Sequence, residues 1–225
     1  MQNDLVWTWS EWTAEASSLR AGFAGLLFDL DGTLVDTLPL HYRAYAEVLA
    51  EYGLELSYEQ YRRNAAGPAR VSIPRFLAAV GADPERLPET ASIHQKKKAR
   101  FAEILGQAAP PRLPAARELE LCGEPGRCAL VTSAARAGAT LILQSQGWSE
   151  LFGAVVCGDD VLRGKPDPEP YLRAAERLNA QPDACLVFED APEGIAAGLA
   201  AGMQVVDVSD ASAGAVPLTR AGAEA

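Results

Sequence analysis

Histidine is almost missing from this sequence, which has His41 and His94 and no other in 225 residues. A zinc centre built on histidine is therefore not expected. The four cysteines, Cys122, Cys128, Cys157 and Cys185, contain no Cys-x-x-Cys pair, so metal-site spacing is absent too. Three of them lie in or beside apolar runs, and all are read as reduced core or near-core thiols of a cytoplasmic protein. No apolar stretch approaches the roughly 18 residues of a membrane span. The first residues carry Asp4 and Glu11 and lack a basic start followed by an apolar core, so no secretory signal is expected. Positive charge is also short. Lys and Arg number 20 against 30 Asp and Glu, a formal net charge of −10 that argues against a nucleic-acid partner. No internal repeat is visible.

What remains is an ordinary globular balance, 48% hydrophobic and 22% charged, in a chain long enough for one large α/β domain or one domain with a smaller insert. Short apolar runs at Phe23–Phe28, Cys128–Val131, Ala154–Cys157, Cys185–Phe188 and Val205–Val208 read as buried parallel strands, because they are unbroken and not alternating. Helical patterns at Gly138–Gln146, Pro168–Leu178 and Pro192–Ala201 separate them, with Pro168 and Pro192 suited to a first helical turn. The alternation predicts a doubly wound α/β sheet.

One block departs from it. From Pro39 to about Leu113 only helical stretches are found, ending at the Pro110–Pro114 cluster. Leu40, Ala44, Val48, Leu49 and Tyr52 share one helix face that Gly53 can stop, and further helices are expected over Tyr58–Arg63, Ser72–Val80 and Glu89–Leu105. Such an insert reads as a cap that covers the strand ends and excludes water. The expected division is an N-terminal extension over 1–20, an α/β core over 21–38 and 113–210, a helical cap over 39–112 and a frayed tail over 211–225. Trp7, Trp9 and Trp12 suggest that the extension, as a short helix or extended arm, packs its indoles on the core.

The chemistry is carried by four signals far apart in sequence. Leu26-Leu27-Phe28-Asp29-Leu30-Asp31-Gly32 delivers two aspartates to the carboxyl end of a strand, where Gly32 permits a sharp turn. Open α/β sheets place ligands there, and two crowded carboxylates make sense chiefly around a hard cation such as Mg2+. Thr132-Ser133 follows the second strand. Gly164-Lys165-Pro166-Asp167-Pro168 lies downstream of the third, and Glu189-Asp190 follows the fourth. Parallel strands would bring all four to one edge. Each also has a plainer reading: an Asp-Gly turn, a strand end, a solvated lysine, helix-start acids favoured by the dipole.

In their order these motifs resemble those of haloacid-dehalogenase-superfamily phosphatases with a helical cap between the first and second motifs. Within that superfamily they are similar to the β-phosphoglucomutase and sugar-phosphatase branch, which includes fructose-1-phosphate phosphatases. The resemblance covers about Ala21 to Val208. It implies a Mg2+-dependent phosphatase for a small phosphorylated metabolite, a sugar or polyol phosphate, with no nucleic-acid or membrane partner and a monomer or weak homodimer as the working form. It implies Asp29 as nucleophile and Asp31 as general acid and base. Thr132, Ser133 and Lys165 would contact the phosphoryl group. Mg2+ would be held by the Asp29 and Asp190 carboxylates and the Asp31 main-chain carbonyl, with Glu189 orienting its waters. An aspartate at position 31 is absent from the superfamily's dehalogenases, which favours phosphate transfer. From the branch, His41, Arg70 and Lys97 would contact substrate; as plain residues they read equally as a surface histidine, a loop arginine and a solvated lysine.

A phosphosugar isomerase of the β-phosphoglucomutase type is the alternative. Thr132-Ser133-Ala134-Ala135-Arg136 lacks the serine and asparagine that follow in the mutase, which weakens it. A signalling receiver domain also phosphorylates an aspartate but sets its acidic residues on different strands and has no long insert. A non-catalytic relative would not keep every catalytic position filled.

Overall fold

A computed structural model of the chain describes residues 6–65, 67, 69–83 and 89–211, and only the backbone of residues 17 and 18. The chain divides into two compact units, Thr37–Ala109 and the combination of Met1–Asp36 with Pro110–Ala225.

The larger unit is built on a six-stranded parallel sheet. Its strands are β1 (Val6–Thr8), β2 (Gly25–Phe28), β3 (Cys128–Val131), β4 (Ala154–Val156), β5 (Cys185–Glu189) and β6 (Gln204–Asp207), in the order β1-β6-β5-β2-β3-β4. Every residue of β2, β3 and β5 is buried, which is why those runs show no alternation. The doubly wound α/β class expected from the sequence is the observed one. Its helices are α1 (Trp9–Leu19), α6 (Ala116–Cys122), α7 (Arg136–Gln146), α8 (Glu169–Leu178) and α9 (Pro192–Ala200). A core of Leu27, Val131, Val156, Tyr171, Val187, Ala197 and Val205 fills the space between sheet and helices. All four cysteines are free and buried.

Two features of this unit differ from expectation. Residues 6–20, read as an extension, belong to this unit, and the first three of them add a strand to its sheet. Val6, Trp7 and Thr8 pair in parallel with Val205, Val206 and Asp207. A three-residue strand is too short to leave a periodic signal, and its partner lies near the other end of the chain. Thr8 then caps α1: its side chain accepts from the Glu11 N–H at 3.3 Å while Glu11 accepts from the Thr8 N–H at 2.8 Å, a capping box. Trp12 is wholly buried, whereas Trp7 and Trp9 are half-buried. Residues 110–112, expected in the cap, also belong here. The Asp36 N–H donates to Pro111 O at 2.9 Å and the Leu113 N–H to Leu34 O at 2.9 Å, so these main-chain bonds hold the returning segment to the strand-end loop. The expected fraying beyond residue 211 lies outside the described residues.

The smaller unit is helical: α2 (Leu38–Ala50), α3 (Tyr58–Asn64), α4 (Ala69–Ala79) and α5 (Thr90–Gln107). Tyr45, Val48, Leu49, Tyr61, Ile73, Phe76 and Ile93 form its core. Ser57 and Gln60 make a capping box that starts α3. α4, expected over Ser72–Val80, begins three residues earlier and carries Pro74 inside it. Among the described residues, no helix is long and apolar enough to cross a membrane.

Candidate active site

Parallel strands with one direction deliver their carboxyl ends to one edge, and the neighbours β5-β2-β3 bring three motifs there together. Asp29 leaves the end of β2, Glu189 and Asp190 the end of β5, and Thr132 the end of β3. Lys165 enters from the loop between β4 and α8, across a cis Lys165–Pro166 peptide. Its ammonium donates to Asp29 Oδ1 at 2.7 Å, to Glu189 Oε1 at 2.5 Å and to Val131 O at 3.0 Å. The ring of Tyr171 lies beneath it, 5.0 Å from Nζ to the centroid.

This lysine joins groups 136 and 24 residues away. Burial works against the ammonium, but Asp29, Tyr171 and Glu189 outweigh it and hold the Lys165 pKa well above the ordinary lysine value. The Asp29 carboxyl is pushed well above the usual carboxylate range, first by burial; Lys165 pulls it down, and Glu189 and Asp31 push it up again. An isolated ion pair would lower Asp29. Its upward displacement is first the cost of burial, which Lys165 only partly offsets and to which the neighbouring acids Glu189 and Asp31 add. We therefore take Lys165 as charged and the site as short of positive charge.

One carboxylate oxygen each of Asp29, Glu189 and Asp190 lies within 4.8 Å of the other two. Such a set of hard oxygen donors fits a divalent cation of the Mg2+ kind. The three do not contribute equally. Glu189 Oε1 already accepts from Lys165 and from the Tyr171 hydroxyl at 3.2 Å, and Oε2 accepts from the Ala191 N–H at 2.9 Å. Asp190 Oδ1 accepts from Thr33 Oγ1 at 2.9 Å, and burial raises its pKa to about 6 against the lowering effect of that bond. Asp190 approaches the strand-end loop at Gly32, where φ is +95° and a Cβ would stand 2.2 Å from Asp190 Oδ2. Glycine is required there on both counts. The residues present fit the ion, with Asp29 and Asp190 the less encumbered carboxylates.

Thr132 is buried; its hydroxyl oxygen accepts from the Ala134 N–H at 3.0 Å, closing the turn after β3. Ser133 is exposed on that turn. Thr132, Ser133 and Lys165 share the wall of a cavity of about 250 Å³ with Val161 and Leu162. Asp31 is half-buried, two residues beyond Asp29, in a backbone bridge with Val35.

The remaining three expected residues lie in the helical unit. His41 and Lys97 meet each other: Nζ lies 2.7 Å from His41 Nδ1, and the imidazole stacks on Phe101 with centroids 4.2 Å apart. Burial, then the charge of Lys97, lowers the His41 pKa to about 3, so the ring is a neutral acceptor. Lys97 is buried, not part of a solvated run. Arg70 is exposed near the start of α4.

Tyr171, Thr33 and Gly194 were not among the residues expected here. Thr33 directly follows the Asp-x-Asp-Gly turn, a readable signal for a hydroxyl near the acids. Gly194 sits in the first turn of α9, where a Cβ would stand 1.7 Å from Glu189 Oε1. A glycine inside a helix is costly and could have marked a close approach. Tyr171 left no signal beyond its helix face.

Comparison with known proteins agrees with the geometry. The family model described as haloacid dehalogenase-like hydrolase matches residues 23–202. The chain is similar to the fructose-1-phosphate phosphatase YqaB of Escherichia coli, 36% identical over 186 residues that cover 83% of this chain and 96% of that protein. It is similar to a phosphorylated carbohydrates phosphatase of Thermotoga maritima, 35% identical over 80% of this chain and 82% of that one. Among solved structures it resembles CbbY from Rhodobacter sphaeroides in complex with phosphate, with TM-score 0.68 and 30% identity over 82% of this chain and 85% of the other.

Proposed function

Because this chain belongs to the haloacid dehalogenase-like hydrolase family, as a phosphoric monoester hydrolase, we propose that it releases phosphate from a small phosphorylated carbohydrate. The observation that carries the reading is Lys165 bridging Asp29 and Glu189 at 2.7 and 2.5 Å. Two relatives are named as phosphatases of phosphorylated carbohydrates and of fructose 1-phosphate, which supports the substrate class.

In this mechanism a carboxylate oxygen of Asp29 forms a bond to phosphorus as the ester P–O bond breaks, giving an aspartyl-phosphate. Asp31 gives its proton to the departing alkoxide and then takes one from the water that cleaves the acyl phosphate. Lys165 favours the ionised form of Asp29 against the cost of burial and faces the incoming phosphoryl oxygens. The Thr132 hydroxyl and the main-chain N–H groups after Asp29 fix the others. Glu189, with Tyr171, holds Lys165 in place. Asp29, Asp190 and the Asp31 carbonyl would hold Mg2+, which when bound supplies positive charge against the phosphate dianion. That charge is needed: each like-charge pair costs on the order of 4 kcal/mol at about 4 Å and an effective dielectric near 20.

The test is phosphate release from a panel of sugar and polyol phosphates with and without Mg2+, for the wild type and Asp29→Asn. Release is expected to require Mg2+ and to vanish in the variant. Turnover by Asp29→Asn refutes the mechanism, and conversion of β-glucose 1-phosphate to glucose 6-phosphate without free phosphate replaces it with the isomerase.

A further inference from the structure

Trp12 precedes the segment matched by the family model, which begins at residue 23, yet none of it is exposed. Its indole meets Phe188 edge-on, with centroids 5.4 Å apart and planes at 81°. Phe188 in turn lies flat on Phe28, 4.7 Å away at 7°. These two phenylalanines are register partners on β5 and β2, and each immediately precedes a site carboxylate, Glu189 and Asp29. The next main-chain bond, Asp29 N–H to Phe188 O at 3.1 Å, ties the strands at the same point. Successive side chains of a strand leave on opposite faces, so the Phe188 ring lies on the face away from Glu189.

We infer that Trp12 is a positioning residue for Asp29 and Glu189. Its ring edge pins the Phe188–Phe28 stack and so sets the separation of the two strand ends that Lys165 bridges. The arm that carries it is anchored on both sides. β1 pairs with β6, the Trp7 indole donates to Gln204 Oε1 at 3.1 Å, and the Thr8–Glu11 capping box fixes the start of α1. The Trp12 N–H finds no acceptor among the described residues. A hydrogen bond is therefore not what holds this ring in place; its shape and aromatic edge are.

The inference rests on the proposed phosphatase reading. Misplacing a reacting group by 1 Å costs on the order of 10²-fold, and loss of one aromatic edge would shift the strand ends by a fraction of that. Steady-state hydrolysis of p-nitrophenyl phosphate with Mg2+ is measured for the wild type, Trp12→Phe, Trp12→Leu and Ile142→Ala, together with Tm. Ile142 is a buried residue of α7 and serves as a control for destabilisation of the core alone. Trp12→Leu keeps the position apolar and removes the aromatic edge, with Tm reporting the cost of the smaller side chain; its kcat is expected to fall about tenfold with KM within twofold. Trp12→Phe should restore kcat to within twofold of wild type, and Ile142→Ala should lose Tm but keep kcat. Unchanged kcat in Trp12→Leu, or an equal kcat loss in Ile142→Ala, overturns the positioning role alone. A wild type that hydrolyses no phosphate ester sinks the functional reading and this inference with it.

Discussion

Gly194→Ala is the smallest change that reaches the centre of the site. The added methyl would lie 1.7 Å from Glu189 Oε1 and 2.0 Å from its Cδ. To regain even a tight 3.0 Å contact, the nearer oxygen must withdraw by 3.0 − 1.7 = 1.3 Å. A free glutamate tip would turn aside at little cost, but this one is pinned by Lys165, Tyr171 and the Ala191 N–H. Withdrawal breaks at least the bond to Lys165, a charge-assisted bond worth about 1.5–3 kcal/mol, and overpacking adds about 1–3 kcal/mol. A combined loss of about 2.5–6 kcal/mol corresponds to a Tm drop of at least roughly 5–10 °C for a chain of this size. Because Lys165 also holds Asp29, kcat should fall by about 10²-fold, with KM less affected. Thermal melts and steady-state kinetics on the purified variant decide the matter. A Gly194→Ala protein with wild-type Tm and kcat would show that the Glu189–Lys165 contact does not matter.

Three further outcomes are expected. Tyr171→Phe keeps the ring under Lys165 and removes the hydroxyl donor to Glu189, so stability should drop by about 1 kcal/mol and kcat severalfold; an unaltered denaturation midpoint would contradict that. Asp190 has its folded pKa raised from 3.8 to about 6, so in the metal-free protein its stabilising contribution is present below pH about 4 and lost as pH rises through about 6, at most about 3 kcal/mol in all. Chelator-treated melts should show that fall, and added Mg2+ should raise Tm more at pH 7.5 than at pH 5; the opposite order refutes the assignment. His41, with its pKa near 3, should remain neutral at pH 5 by NMR, and a ring titrating near 6 would contradict the buried pair with Lys97.

Five of the strands and the helical insert were legible because burial on both faces leaves unbroken apolar runs and a helix face leaves a spaced one. The core motifs were legible because each sits at a strand end, so strand order alone carries Asp29, Thr132 and Glu189 to one edge. β1 was not: Val6-Trp7-Thr8 becomes a strand only through a partner almost 200 residues on. α6 was missed because it is seven residues long and gains its place from tertiary contacts such as the buried Glu118 with Arg20 at 2.7 Å. Tyr171 and Gly194 act through distances to Glu189, a quantity no local pattern encodes. The pairing of His41 with Lys97, 56 residues apart, is hidden for the same reason.

The pairing of β1 with β6 has a consequence for how the molecule comes into being. β1 finds its neighbour only after almost 200 further residues have been made, so the arm must wait while the intervening strands condense. Its loop-closure entropy is among the largest in the molecule, and its docking is therefore expected to come late. Trp12 enters the interior in that step, so its fluorescence would follow a late folding phase.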